Sequence, residues 1–243
     1  MELLIRLLIA HVITDFWMQP NIWIESKRNS GPYSKYFIYH IILTTLGAAI
    51  MTYDLDLWYV PLIIGVSHFL IDWWKSSMGS DRLVIFIIDQ IAHISVILAV
   101  SLWVMGDDML FRDMSGYMYD VPLLLYCLAY SLVIFPAGYL ISKATKRWQR
   151  EMRLGPERPD ESLDKAGEWI GWLERVLVLS FILIGEFSAI GFLIAAKSIL
   201  RFNSVMHSER KQSEYVLVGT LMSFSFAVIV GLACRYFIGI YGL

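Results

Sequence analysis

The sequence has little charge, since only 17% of its 243 residues are Asp, Glu, Lys or Arg while 57% are hydrophobic. A soluble domain of this length carries more charge, so the composition excludes an ordinary soluble protein. Several apolar runs approach the roughly 20 residues that cross a bilayer as a helix. The composition therefore predicts an all-α fold, a polytopic bundle of transmembrane helices.

Cysteine is also scarce. The two cysteines, Cys127 and Cys234, lie in separate apolar runs, and the sequence contains no CxxC pattern. This excludes a metal site built on paired cysteines and leaves two small buried thiols as the plain interpretation. The first apolar run contains His11 and Asp15 and lacks both a basic start and a small-residue cleavage site. We therefore expect no cleavable signal peptide.

Changes in hydropathy divide the chain into about eight hydrophobic segments, with a range of seven to eight. The predicted helices cover residues 2–19, 35–53, 57–75, 82–105, 121–142, two parts of 168–202, and 214–237. A single helix over 168–202 would extend roughly 50 Å, against a hydrocarbon core of about 30 Å. We therefore predict a helical hairpin that breaks at Gly185-Glu186, with a long tilted helix or a re-entrant pair as the competing interpretation.

The polar segments predict the organisation and the orientation of the chain. We expect an N-terminal five-helix half over residues 1–142, a basic cytoplasmic linker over 143–167, and a C-terminal half over 168–243. The loops after predicted helices 1, 3, 5 and 7 hold most of the Lys and Arg, which places those loops in the cytoplasm and both termini outside. The basic linker lacks interleaved aromatic residues, so no nucleic-acid partner is expected.

Histidine and aspartate recur together inside the apolar runs. Three pairs are spaced four residues apart, and His40 adds a seventh group: His11 with Asp15, His68 with Asp72, and Asp89 with His93. A spacing of four places both members of a pair on one helix face. Counted from the predicted cytoplasmic helix ends, these groups lie within roughly 5 to 16 Å of one side. Four adjacent helices would therefore point them into one cavity.

Ionisable groups inside a membrane face a partner, a cavity or a metal rather than lipid. Imidazole and carboxylate, without cysteine, favour Zn, with Mn or Fe as the other choices. His11, His68 and His93 are the leading ligands, and His40, Asp15, Asp72 and Asp89 are further ligands or outer carboxylates. The set suits one ion, or two ions about 3.5–4 Å apart. Hydrogen-bonded structural histidines and a proton relay are the alternatives.

A second charged group lies in the C-terminal half: Glu174, Arg175, Lys197, Arg201 and Glu214. Arg175, Lys197 and Arg201, together with Lys75 beside the first cluster, are predicted to bind an anionic group of the substrate, since guanidinium forks suit phosphate and carboxylate. The alternative is that the basic side chains extend to the membrane interface and pair with one of the two glutamates.

Three segments carry a resemblance to a known family: His11-xxx-Asp15-Phe16-xx-Gln19, His68-Phe69-xx-Asp72-xx-Lys75, and Asp89-Gln90-xx-His93. Over roughly residues 3–105 the sequence resembles the bacterial inner-membrane family catalogued as domain of unknown function 3307. The segment from Ile170 to Arg175 is similar to the tail of longer members. The intramembrane His and Asp are loosely similar to those of predicted membrane-bound metal-dependent hydrolases. The resemblance implies a multi-pass protein of the bacterial inner membrane.

The sequence therefore predicts an integral membrane metalloprotein, with hydrolysis of an amphipathic or phosphate-bearing substrate reached from the cytoplasmic leaflet. A metal-bound water would be the nucleophile, and one of Asp15, Asp72 and Asp89 would be the catalytic base. Membrane lipids and a small anionic or lipid substrate are the expected partners, and an oligomer is left open. A transporter or channel that uses the same groups, and a non-catalytic structural or signalling protein, are the alternatives.

Overall fold

The computed structural model describes residues 1–79, 82–108, 121–146, 161–205 and 210–240, and these contain helices and connecting turns but no β-strand. The all-α prediction is thereby confirmed. The helices are α1 (Glu2–Val12), continued by a π-helical turn (Ile13–Trp17), α2 (Asn21–Ser30), α3 (Lys35–Thr52), α4 (Tyr59–Ser77), α5 (Leu83–Asp108), α6 (Val121–Ala144), α7 (Glu161–Ile184), α8 (Phe187–Val205) and α9 (Arg210–Ile240).

Within the described part of the chain, five segments are long and apolar enough to cross a membrane: Lys35–Thr52, Leu55–Ser77, Leu83–Gly106, Val121–Ala144 and Leu217–Ile240. They indicate a membrane-embedded protein. The predicted count of seven to eight segments is not confirmed, because α1 has only 11 residues and the apolar part of α8 is the short stretch Phe187–Ile199.

The chain forms two compact units, Met1–Leu128 and Ala129–Leu243. The boundary falls inside α6 rather than in the predicted linker over 143–167. Of that linker, residues 147–160 lie outside the described part, and α7 already begins at Glu161. The domain division made from the sequence stays a prediction.

In the first unit, α1, α3, α4 and α5 form a four-helix bundle in which α1 and α4 each pack against both α3 and α5. A cluster of apolar side chains fills the bundle: Leu7, Ala48, Val60, Ile64, Ile97, Val100 and Val104. Gly65 allows α3 and α4 to approach closely, since a Cβ there would lie 2.2 Å from Thr45 Oγ1. The short helix α2, where the sequence predicted only a polar loop, packs against α3.

In the second unit, α7 packs against α9, and α7 and α8 form the predicted hairpin. The hairpin turns at Gly185, whose φ of +85° is favourable only for glycine. The amide of Glu186 donates to the carbonyl of Phe181 at 2.8 Å, and the amide of Gly185 donates to Ile182 at 3.1 Å. These two hydrogen bonds are a Schellman motif, which ends a helix at a glycine. The predicted break at Gly185-Glu186 is confirmed.

Candidate metal centre

The first unit brings together all seven His and Asp residues that the sequence pattern selected. They come from the four helices of the bundle: His11 and Asp15 from α1 and its π-helical turn, His40 from α3, His68 and Asp72 from α4, and Asp89 and His93 from α5. We call these seven residues the His/Asp cluster. Each side chain is buried, and Asp89 is fully inaccessible to solvent. The four-residue spacing therefore predicted a real convergence of side chains.

Asp15 lies in the π-helical turn Ile13–Trp17 rather than in a regular α-helix. A π-helical turn is wider than an α-helical turn and is frequently found at functional sites. Its carboxylate remains close to His11 on the preceding turn, with 3.5 Å between Asp15 Oδ1 and His11 Nδ1. The turn ends at Trp17, and Pro20 is the N-cap residue of α2.

One carboxylate oxygen is central to the cluster. Asp15 Oδ1 lies 3.5 Å from His68 Nε2, 3.7 Å from His40 Nε2 and 3.5 Å from His11 Nδ1. The Nε2 atoms of His40 and His68 are themselves 3.0 Å apart. Asp15 Oδ1 is buried and accepts no hydrogen bond from any residue that the structure describes. Three imidazole nitrogens thus surround a carboxylate oxygen at distances too long for hydrogen bonds.

His93 occupies the other side of the cluster. Its ring is stacked on His11 with 5.1 Å between centroids and lies 4.1 Å from the ring of His68. Its Nδ1 donates to the backbone carbonyl of Asp89 at 2.8 Å. That bond leaves the lone pair on Nε2, which is buried and has no hydrogen-bond partner among the described residues. Metal-binding histidines commonly show this arrangement, in which one nitrogen bonds a backbone carbonyl and the other is free to coordinate.

Two lysines neutralise two of the carboxylates. Lys75 on α4 lies 2.5 Å from Asp89 Oδ2, and Lys27 on α2 lies 3.1 Å from Asp72 Oδ2. Lys75 was selected from the sequence, but Lys27 was not. The side chain of Lys27 is only 13% exposed, so α2 covers this part of the cluster and brings a buried ammonium group to Asp72. In the sequence, Lys27 lies near Trp23 in a predicted loop, and no pattern there indicated that its side chain would point into the bundle.

Gln90 links these charges to His11. Its Nε2 donates to Asp89 Oδ2 at 3.0 Å, because a carboxylate can only accept. Its Oε1 therefore faces His11 Nε2 at 3.3 Å, and His11 Nε2 carries the proton. We call Lys75, Asp89, Gln90 and His11 the Gln90 chain. The hydrogen positions are assigned from this network, and they leave a lone pair on His11 Nδ1, which faces Asp15.

A small cavity of about 20 Å³ adjoins the three histidines His11, His68 and His93. Its remaining wall is largely apolar and includes Leu7, Ala48, Ile64 and Ile97, together with Thr14 and Thr44. A space of this size holds about one water molecule. The cluster therefore has lysines and carboxylates toward the helix ends and a water-sized space toward the apolar core.

Comparison with known proteins finds a family to which the first part of the chain is similar. Residues 3–115 match the family model described as "Protein of unknown function (DUF3307)". This stretch of the chain is similar to DUF3307 domains. The resemblance seen in the sequence is confirmed for this stretch, which contains the whole His/Asp cluster and the Gln90 chain. No curated protein and no solved structure matches the chain.

Outside this stretch, Arg175 on α7 is buried against other helices of the second unit. Its Nε donates to the backbone carbonyl of Val133 at 2.5 Å, and its other nitrogens lie 3.5 Å from the Ile134 carbonyl and 3.4 Å from Ser223 Oγ. Pro136, three residues beyond Val133, is inside α6. Arg175 is therefore held by backbone carbonyls of α6 and a hydroxyl of α9.

The other predicted basic residues of the second unit divide into two cases. Lys197 on α8 pairs with Glu174 on α7, which is the ion pair that the sequence offered as its alternative. The side chain of Arg201 lies outside the described residues. It stays a prediction that Arg175, Lys197 and Arg201 bind the substrate. It also stays a prediction that they face the same cavity as the His/Asp cluster.

Proposed function

We propose that the His/Asp cluster binds a divalent metal ion through Asp15, His11, His40 and His68. The observation that carries the proposal is the environment of Asp15 Oδ1. This buried oxygen has three imidazole nitrogens within 3.7 Å and receives no hydrogen bond from the described residues. Burying an acceptor without a donor is costly, and burying a charge without a partner costs more.

The proton positions strengthen this reasoning. Because Gln90 accepts the proton of His11 Nε2, the nitrogen that faces Asp15 is a lone pair. Two acceptors 3.5 Å apart repel each other unless a cation lies between them. His40 and His68 share at most one proton between their Nε2 atoms, so they cannot supply Asp15 with two donors. A cation among these four atoms satisfies all of them.

The distances suit a tetrahedral ion. Ligand bonds of about 2.0–2.1 Å at tetrahedral angles put ligand atoms about 3.3 Å apart. Four of the six separations among the proposed ligand atoms, the three from Asp15 and the one between His40 and His68, are 3.0, 3.5, 3.5 and 3.7 Å. Three imidazoles and a carboxylate, without cysteine, favour Zn, with Mn or Fe as the other candidates. The Gln90 chain and the carbonyl partner of His93 are the kind of outer contacts that orient metal-binding histidines.

We propose further that the metal serves hydrolysis. A bound divalent ion lowers the pKa of a coordinated water and so supplies a nucleophile near neutral pH. The water-sized cavity beside His11, His68 and His93 offers a place for it. Lys27 and Lys75, which pair with Asp72 and Asp89, add positive charge beside this place that favours an anionic group, and these two carboxylates are candidates for the base. The substrate class is an amphipathic or phosphate-bearing molecule.

The apolar core supports an enzyme rather than a transporter. On the side of the cavity away from the lysines, the bundle is filled by apolar side chains: Leu7, Ala48, Val60, Ile64, Ile97, Val100 and Val104. An ion path would require polar groups along this direction. We place the site at the cytoplasmic side of the bacterial inner membrane, because the basic loops predicted from the sequence lie at the same helix ends.

Elemental analysis of the purified protein tests the metal proposal. Protein reloaded with Zn, Mn or Fe is expected to hold at least one ion per chain. Asp15→Asn keeps the shape of the side chain but removes its charge, so bound metal should fall at least tenfold. Asp56→Asn makes the same chemical change at an exposed loop residue and should retain the metal.

Helicity by circular dichroism separates loss of metal from loss of fold. Folded wild-type protein that takes up none of the three metals on titration would refute the proposal. An Asp15→Asn variant that keeps the wild-type metal content would refute the assigned ligand set.

A further inference from the structure

We infer a second divalent-metal site formed by Asp72, Asp89 and His93, next to the first ion. The inference rests on the proposed function, since it concerns the residues that the first ion leaves over. Seven ligating side chains converge, and a tetrahedral ion uses four. Asp72, Asp89 and His93 are all buried, and they offer ligand atoms that lie within 4.8 Å of one another. These three residues share no member with the set around Asp15.

Two atoms of this group lack partners. Asp89 Oδ1 and His93 Nε2 are buried and form no hydrogen bond with the residues that the structure describes. The Nδ1–H of His93 is used by the Asp89 carbonyl, so Nε2 is an acceptor. Both unpartnered atoms are thus electron-pair donors. Each of them is available to coordinate an ion, and neither receives a hydrogen bond from the described part of the chain.

Lys27 and Lys75 do not supply a donor to the unpartnered oxygen of Asp89. Lys75 and Gln90 both donate to Asp89 Oδ2, and Lys27 donates to Asp72 Oδ2. Each lysine therefore neutralises a carboxylate through one oxygen. The second oxygen of Asp89 remains without a donor, in a residue with 0% exposure. Neutralisation by lysine and coordination of a metal use different oxygens of this carboxylate, so the two are compatible.

The second site adjoins the first. The His93 ring is stacked on His11 and lies beside His68, and both of these neighbours belong to the ligand set around Asp15. Three protein ligands leave coordination positions open for water or substrate, as in catalytic rather than structural sites. Adjacent ions of this kind, about 3.5–4 Å apart, stabilise both the attacking and the leaving oxygen in phosphate ester hydrolysis.

The charge count indicates the ligand class. Three carboxylates and two lysines give the cluster a net charge of −1, and two divalent ions bring it to +3. A buried site with this charge requires anions. A phosphate monoester dianion together with a hydroxide would neutralise it. The second site therefore points to a phosphate ester as the substrate of the proposed hydrolase.

Metal counting on the full-length protein distinguishes this inference from the first proposal. Metal-depleted protein is reloaded with Mn²⁺, and the bound ions are counted by elemental analysis. Two ions per chain, with spin coupling between them in the electron paramagnetic resonance spectrum, are expected. One ion per chain overturns the second site and leaves the first intact, and no bound ion overturns both. Two ions without spin coupling overturn the adjacent placement.

Single substitutions test which residues bind the second ion. Asp89→Asn and His93→Gln should each reduce the count from two ions to one, while the exposed Asp56→Asn variant keeps two. His93→Gln leaves the Lys75–Asp89 pair in place, so it remains informative if Asp89→Asn does not fold. Two ions in folded His93→Gln protein would overturn the assignment. Inorganic phosphate should lower the Kd of the second ion at least tenfold, and an unchanged Kd would overturn the phosphate-ester assignment.

Discussion

Replacing Gln90 by leucine tests the hydrogen-bond chain that orients His11. The substitution keeps the approximate size of the side chain but removes the acceptor at His11 Nε2 and the donor to Asp89 Oδ2. Without its acceptor, the His11 ring is free to change tautomer and to place a proton on Nδ1. A protonated Nδ1 would then donate to Asp15 and could no longer coordinate an ion.

The expected loss of metal affinity follows from these contacts. Substitution of outer contacts to metal-binding histidines lowers metal affinity roughly 10- to 100-fold. The His11–Gln90 bond is long, at 3.3 Å, and Gln90 supports only one of the four proposed ligands. We therefore expect a rise in Kd near the lower limit, about tenfold, which corresponds to about 1.4 kcal/mol. The Lys75 pair still neutralises Asp89, so the fold should be retained.

Two measurements check this prediction. Competition with a chelator gives the Kd of the first ion in wild-type and Gln90→Leu protein. Nitrogen-15 NMR of metal-free protein reports which ring nitrogen of His11 carries the proton, independently of any metal. The wild type should be protonated at Nε2, and the variant should populate both tautomers. An unchanged Kd together with an Nδ1-protonated wild type would refute the tautomer reasoning.

Three further predictions concern stability and can be measured by thermal unfolding in detergent. Lys75→Met leaves Asp89 buried without its cation and should cost roughly 3 kcal/mol, the lower limit for a broken buried pair because Lys75 is partly exposed. Gly65→Ala should lower the Tm because its Cβ would lie 2.2 Å from Thr45 Oγ1, and adding Thr45→Ala should restore part of the loss. Arg175→Lys should lower the Tm without changing metal content, because an ammonium cannot reproduce the several donors of the guanidinium. A loss of metal in the Arg175 variant would instead favour its predicted place at the cluster.

The sequence predicted the residues of the cluster because their signal is local. A His and an Asp four residues apart share a helix face in any α-helix, and buried charge in an apolar run requires a partner. The Gly185 break was predictable for a similar reason, since one helix of that length exceeds the bilayer. Each inference uses the helical periodicity, the length of an apolar run or the cost of burying a charge. All three can be judged from one segment of the sequence.

Lys27 and Gln90 could not be predicted in this way. Lys27 reaches the cluster only because α2 packs against α3 and turns its side chain toward Asp72. Gln90 lies directly after Asp89 in sequence, and only the positions of α1 and α5 bring its amide to His11. The adjacency of Gln90 to Asp89 was the one available signal, because an amide beside a buried carboxylate can donate to it.

Arg175 shows that the partner of a buried cation cannot always be predicted from the charged residues of the sequence. A buried guanidinium was expected to require an anionic partner such as Asp72, Asp89 or Glu214. The structure instead gives it carbonyl oxygens in α6 near Pro136 and a serine hydroxyl in α9. Every residue has a backbone carbonyl, so counting acidic and basic residues in the sequence could not predict these carbonyl partners.

The arrangement of charge on α4 and α5 explains why Asp15 is the place where a cation is needed. Asp72 lies five residues before the end of α4, and His68 lies four residues deeper. Asp89 lies six residues after the start of α5, and His93 again lies four residues deeper. The carboxylates on these helices are thus roughly 8–9 Å from the helix ends, where a lysine side chain can reach them. The deeper positions carry imidazole, which is buried as a neutral group at lower cost. Asp15 departs from this pattern, since among the described residues its Oδ1 faces three imidazoles, while Lys27 and Lys75 pair with Asp72 and Asp89 instead. The metal ion that we propose would supply at Asp15 the positive charge that lysines supply at Asp72 and Asp89.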